Sequence, residues 1–178
     1  MNKKEIIYIY LREGDLRSIG KVKLLIEEIR NQTDFDELFC YLYSDERLIK
    51  MRAIDAIEKI TISNSHYLVK HKKEILDFFK LNNNIEFKWH LALIIPRLDL
   101  LDIEIISIWN ILKSWASNKK ESKIVRVNSI QALSMLLLKN NSLEEDYNSI
   151  INEILLENIP SIKARIKKIK NGAKNEIK

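Results

Sequence analysis

Three glycines, two prolines and a single cysteine are all that these 178 residues hold of the residue types that turn, break or cross-link a backbone. So little glycine and proline excludes a strand-and-turn fold and a flexible linker between domains. Cys40, being alone, excludes an internal disulfide and a cysteine zinc site, and predicts a reducing, cytosolic setting. Its neighbours Phe39, Tyr41 and Leu42 predict an ordinary buried thiol. No stretch approaches the ~20 apolar residues that span a bilayer. Lys3-Lys4 precedes Ile6 to Leu11, but Arg12, Glu13 and Asp15 interrupt before an export signal forms. A soluble, cytoplasmic protein is expected. Gly14, Gly20 and Gly172 are too scattered for a phosphate-binding loop. His66, His71 and His90 stand in no metal-ligand spacing, and no serine or cysteine has a recognisable base near it in sequence. No cofactor, metal or catalytic residue is expected.

What is abundant is Leu, Ile, Lys and Glu at helical spacing. The sequence predicts ten helices in five pairs. The first pair runs from Lys3 to Arg12 and from Leu16 to Arg30, separated by Glu13-Gly14-Asp15, with Ile19, Val22, Leu25, Ile26 and Ile29 on one stripe. Thr33 or Asp34 can N-cap a third helix through Tyr43, and Ser44-Asp45 starts a fourth from Glu46 to Ile62. Ser65 to Lys80 and Ile85 to Leu98 follow, and Pro96 should kink or end the latter because it cannot donate to the carbonyl of Ala92. Ile103 to Ala116, a helix capped by Ser122 and running to Lys139, Glu144 to Leu156 and Ser161 to Asn171 complete the set.

Lys50, Lys88, Arg126 and Lys163 recur at steps of 38, 38 and 37 residues. Around each the sequence is similar: Ile49-Lys50-x-x-Ala53-x-x-Ala56-Ile57 and Val125-Arg126-x-x-Ser129-x-x-Ala132-Leu133 share one template. Phe87-Lys88-Trp89-His90-Leu91 and Ile162-Lys163-Ala164-Arg165-Ile166 keep the basic residue without the small ones. A fixed period of this length implies stacked helix pairs. From about Phe35 to Asn171 the pattern resembles the HEAT-repeat (armadillo-like) family, whose second helix often carries a Val-Arg step followed by Ala and Ala-Leu. The period is shorter than the about 40–47 residues usual for such repeats, which implies trimmed loops. The resemblance implies an all-α, right-handed α-solenoid of about five antiparallel helix pairs. It would form one domain over 1–178, with a capping pair at 1–31, repeats at 34–62, 65–98, 102–139 and 144–172, and a flexible tail at 173–178. It also implies that second helices line a concave face, and that this face binds partners.

In that register Arg52, His90, Asn128 and Arg165 form one column, and Asp55, Leu93, Gln131 and Lys168 the next. With Lys59, these are the candidate partner-binding residues, able to grip an acidic peptide or a phosphate backbone through charge-assisted bonds. The plainer alternative is that Arg52, Asp55 and Lys59 are ordinary pairs on one helix surface. Trp89 is expected in the core rather than as a hot spot for a partner. Trp109 and Trp115, six apart, lie on different sides of their helix, so at least one is expected to be partly exposed. Lys163, Arg165, Lys167, Lys168 and Lys170 make the last helix basic and amphipathic, which fits an anionic membrane, a nucleic acid or merely a polar terminal cap.

The net charge of +5 is a weak guide to partners, because Ile, Lys and Asn all have AT-rich codons and are all abundant. The expected function is therefore a non-enzymatic scaffold that binds a protein or peptide on its concave face. The alternative is a nucleic-acid-binding protein. Some alkylpurine DNA glycosylases are built from HEAT-like repeats, and Arg52, Asp55, Trp89, His90 and Arg126 are residue types they use. The metal-dependent hydroxylases built on HEAT repeats use His-Glu pairs; here Tyr67, Lys72 and Leu91 follow the three histidines.

Overall fold

The computed structural model describes residues 2–13, 21–81 and 84–175. Among them every regular element is helical, with ten α-helices, a few 3-10 turns and no strand. The chain divides into two compact units, Met1–Glu74 and Ile75–Lys178.

In the first unit, α1 (Lys3–Arg12) opens on a capping box: Asn2 Oδ1 accepts from the Glu5 amide at 2.9 Å and Glu5 Oε2 from the Asn2 amide at 3.0 Å. Gly14-Asp15 and the start of the expected second helix, with Ile19, lie outside the described residues; the described part is α2 (Val22–Glu28), which buries Val22 and Leu25. Asn31, not Thr33 or Asp34, caps α3 (Gln32–Cys40). Asn31 has the extended backbone a cap needs, whereas the Asp34 carboxylate turns back to accept from the Arg30 amide at 3.0 Å. Cys40 is exposed rather than buried. Phe39 and Leu42 point into the core about 60° apart, and Cys40, turned about 100° from Phe39, faces the other side of the helix.

The central helix of this unit is α4 (Arg47–Ser63), which packs on α1, α2 and α3. Covered on several sides, it buries more than one stripe: Ile49, Ala53, Ala56, Ile57 and Ile60, but also Ile54 and Thr61. The small Ala53 and Ala56 are fully buried, as close helix approach requires. α1 packs on α2, α3 and α4, and α2 on α4. The expected helix from Ser65 is split into a 3-10 segment (Ser65–His71) and α5 (Lys72–Leu81). Gln32 Nε2 donates to the Tyr67 carbonyl at 3.1 Å, tying this segment to α3. The division between units falls within α5.

In the second unit, Asn84 caps α6 (Ile85–Ile94), accepting from the Glu86 amide at 2.8 Å. α6 gives way to a 3-10 turn, Ile95–Arg97, where Pro96 removes the donor to Ala92. α7 (Asp102–Ser117), α8 (Lys123–Leu137), α9 (Glu144–Leu156) and α10 (Pro160–Asn175) follow. Ser122 caps α8, its Oγ accepting from the Val125 amide at 3.3 Å, while α10 runs four residues past the expected Asn171 end. α8 is the central helix: α6 and α10 flank it, α7 and α9 cover it, and α7 lies on α9. Ser129 and Ala132 are fully buried at its crossings. Trp109 and Trp115 are both buried, at 1% and 8% exposure, because α7 is covered on two sides. Trp115 meets Phe79 at 4.8 Å between ring centres, and Trp109 meets Tyr147 at 6.3 Å.

Stacking in layers buries helix ends, whose last carbonyls have no partner within their own helix. Each unit supplies a buried arginine from its central helix. Arg52 NH1 donates to the carbonyls of Leu11 and Glu13 at the end of α1, both at 2.8 Å. Arg126 Nε donates to the Ala116 carbonyl near the end of α7 at 2.8 Å. Its NH1 and NH2 grip both oxygens of Glu157, after α9, at 2.8 and 2.7 Å. Arg126→Ala leaves that carbonyl and carboxylate without a cation and should cost about 3 kcal/mol. Glu157→Gln keeps one acceptor and should cost about 1 kcal/mol. Urea unfolding at neutral pH measures both, and equal losses would contradict the dual role of Arg126.

Candidate partner-binding face

The residues expected to line one ridge take different positions. Arg52 is 1% exposed and bound to backbone carbonyls, so it is an internal tie rather than a surface group. The cause is the central position of α4, which a single-stripe reading of that helix does not anticipate. Asp55 and Lys59 are half-buried and form the expected i,i+4 ion pair at 2.7 Å. In the second unit, His90 and Asn128 are each 6% exposed. Asn128 Nδ2 donates to the Trp89 carbonyl at 3.0 Å, joining α8 to α6. Trp89 itself is half-buried, with its ring edge-on to His90.

Leu93, Gln131 and Arg165 remain half-exposed and Lys168 fully exposed. Arg165 NH1 donates to Gln131 Oε1 at 3.1 Å, joining α10 to α8. Within the second unit the side-by-side order α6, α8, α10 thus places Leu93, Gln131, Arg165 and Lys168 on three adjacent helices. This row offers an apolar side chain, an amide, a guanidinium and an ammonium to a ligand. Gln131 uses one of the five guanidinium donors of Arg165.

Of the recurring basic residues, Lys88 and Arg126 act inside the fold, while Lys163 stays exposed. Lys88 is ion-paired with Glu121 and lies 5.2 Å from the centre of the Trp115 ring. Arg126 holds Glu157, and Lys163 donates to Asn158 Oδ1. Asp146 on α9 accepts from Trp109 Nε1 at 2.7 Å and pairs with Lys113 on α7. The sequence reading missed Glu121, Asp146 and Glu157. Each follows its cation by 31 to 33 residues, five to seven short of the 38-residue period, so the register does not align the partners.

A second polar cluster, also missed, joins α3 to the segment 65–74 in the first unit. Asp36 accepts from Gln32 at 2.6 Å and from Lys70 and His71 at 2.8 Å each. His71 also faces Glu74 at 3.2 Å and stacks on Phe39 at 3.8 Å between ring centres. Desolvation pushes the Asp36 carboxyl up, but the bonds from Lys70, Gln32 and His71 outweigh it and bring it down to about 2. The Lys113 bond lowers Asp146, and the Arg126 bond lowers Glu157, each against desolvation. At Cys40 partial desolvation, then the Glu37 carboxylate, raise the thiol, so it is a poor nucleophile.

Two shallow clefts of ≈ 230 and ≈ 250 Å³ lie on the second unit. One involves Ser117, Lys119 and Glu157, the other Leu76, Lys80 and Ile103, and neither includes a residue of the α6–α8–α10 row. No family model matches the chain, and no curated protein or solved structure matches it either.

The lowered carboxyls give acid sensitivity of a definite sign. A carboxylate held below its unfolded value stabilises the fold above about pH 4 and loses that contribution as pH falls toward its folded value. For Asp36 the window runs from about pH 4 to about 2. The melting temperature should fall steeply across it, and Asp36→Asn should flatten that slope while lowering the melting temperature at pH 7. An unchanged slope in the variant would remove Asp36 from the account.

Proposed function

We propose that this protein is a non-enzymatic, HEAT-like helical-repeat scaffold that binds a segment of a protein partner along its row of second helices. The observation that carries this reading is the order α6, α8, α10 in the second unit, tied by Asn128 to Trp89 and by Arg165 to Gln131. In both units, contacts recur between residues about one period apart. Tyr8 reaches Glu46 across 38 positions, Trp109 reaches Asp146 across 37 and Asn128 reaches Trp89 across 39. First helices pack on first helices and second on second, which supports stacked repeats and hence the solenoid. A surface that repeats at fixed intervals suits an extended ligand, with each repeat meeting the next few residues of the bound segment.

The chemistry of the row selects the segment. Arg165 suits a bidentate carboxylate, Lys168 a second acidic side chain, and Leu93 an apolar residue between polar ones. An acidic segment with an interspersed apolar side chain is the partner that this combination fits. Fold-level analogy contributes the scaffold role, and the side chains contribute the specificity.

Site-specific photo-crosslinking in the native host tests the proposal. A photoreactive residue at Leu93 or Gln131 should capture one protein through an acid-rich segment, and Arg165→Glu with Lys168→Glu should reduce capture at least 10-fold. The same probe at Asn110, an exposed position on α7, should not capture it. Equal capture from Asn110, or no effect of the charge reversals, would refute the face.

A further inference from the structure

The positive charge of this chain is concentrated in one helix. Residues 158–175 hold Lys163, Arg165, Lys167, Lys168, Lys170 and Lys174 and no aspartate or glutamate. These six charges exceed the net charge of +5 for the whole chain, so the rest of the sequence is net negative by one. The preceding stretch, 140–157, is the reverse, with five carboxylates and no cation. A lysine-rich codon usage would scatter lysine along the chain, but it would not clear carboxylates from one helix and gather them on its neighbour. A terminal cap requires polarity, not a single sign.

The structure divides the cations of α10 between two flanks. Ile162 and Ile166 are buried where the helix packs on α8. Lys163, Lys167 and Lys170, spaced i, i+4, i+7, form an exposed stripe on one side of that seam, and Arg165 and Lys168 lie on the other. Among the described residues, no carboxylate pairs with Lys163, Lys167 or Lys170; Lys163 bonds only the neutral Asn158 side chain. Lys88 and Lys113 in the same unit are each paired with a carboxylate. The acids of this stretch that have partners turn away from α10: Asp146 to α7 and Glu157 to Arg126 on α8.

We propose that this lysine stripe binds the phosphate backbone of duplex DNA without reading its sequence. The apolar seam of α10 is already buried in the fold, so it is not available to enter a bilayer, which an interfacial amphipathic helix must do. Lysine is depleted from protein–protein interfaces, and this stripe has no aromatic or apolar centre to anchor one. Nor does α10 carry an aromatic side chain on which single-stranded bases would stack. Release of counterions from a phosphate backbone needs only unpaired cations at regular spacing. From Lys163 to Lys170 the helix rises about 10 Å, the axial length of about three nucleotides of one strand. This site stands apart from the Leu93–Gln131–Arg165 row and does not depend on it.

Fluorescence anisotropy with a labelled 20-base-pair duplex of mixed sequence, from 20 to 200 mM salt, tests the assignment. The log of affinity should fall against the log of salt with a slope near −2.7, about 0.9 per contact for three contacts, or about 40-fold between 50 and 200 mM. The variant K163Q/K167Q/K170Q, shown to be folded by its circular dichroism and urea midpoint, should lose at least 10-fold in affinity and most of that slope. K23Q/K119Q/K120Q removes the same charge from exposed sites elsewhere and should change affinity less than 3-fold. Four outcomes overturn the proposal: no binding at 20 mM salt, equal loss in both triple variants, tighter binding to anionic vesicles or to polyglutamate of matched charge than to the duplex, or salt-sensitive self-association without DNA. The last would assign the stripe to the acidic α9 of a second copy.

Discussion

An α-helix that stops inside a packed layer leaves carbonyls that neither water nor its own backbone can satisfy, and this constraint shapes both units. Each answers it with an arginine on its central helix: Arg52 bonds the end of α1, and Arg126 the end of α7. A guanidinium suits the task because it stays charged, has donors in several directions and carries an apolar stem through the core. The negative end of the helix dipole makes the same carbonyls favourable partners for a cation. Arg126 goes further, using its remaining donors to bring in Glu157, so one side chain joins α7, α8 and the turn after α9. Layers of this kind need small residues where helices cross, and the fully buried Ala53, Ala56, Ser129 and Ala132 provide them.

The same economy decides which charges are left for other molecules. Two of the four recurring basic residues, Lys88 and Arg126, are consumed by the fold, through Glu121 and Glu157. Among the groups the second unit leaves outward are the mixed row on α6, α8 and α10, and the lysine stripe on the far flank of α10. One offers varied chemistry suited to a specific segment, and the other offers charge alone. The two surfaces are separated by the seam of α10 on α8, so the two proposed bindings do not compete for the same side chains.

Some local signals in the sequence were legible, though the cap of α3 was not. The bounds of α1 and α9 follow the capping and charge patterns residue for residue, and Ser122 and Pro96 act where their chemistry requires. Features set by neighbours distant in sequence were not legible. The burial of Arg52 depends on how many helices surround α4, which the periodicity of α4 alone does not encode. The tie from Gln32 to the Tyr67 carbonyl spans 35 positions, which no local pattern encodes. Apolar neighbours did not predict Cys40 because each step along a helix turns the side chain by about 100°. Of the expected binding residues, Leu93, Gln131, Arg165 and Lys168 stayed accessible, while Arg52 and Asn128 became ties between helices.

The proton on Arg126 Nε reports most directly on whether a buried arginine organises these layers. In ¹⁵N-resolved exchange measurements at neutral pH, that proton should exchange far more slowly than the one on the exposed Arg30. It should also show a cross-peak to the backbone around Ala116. Exchange as fast as that of Arg30 would place the Arg126 side chain in water and contradict the account.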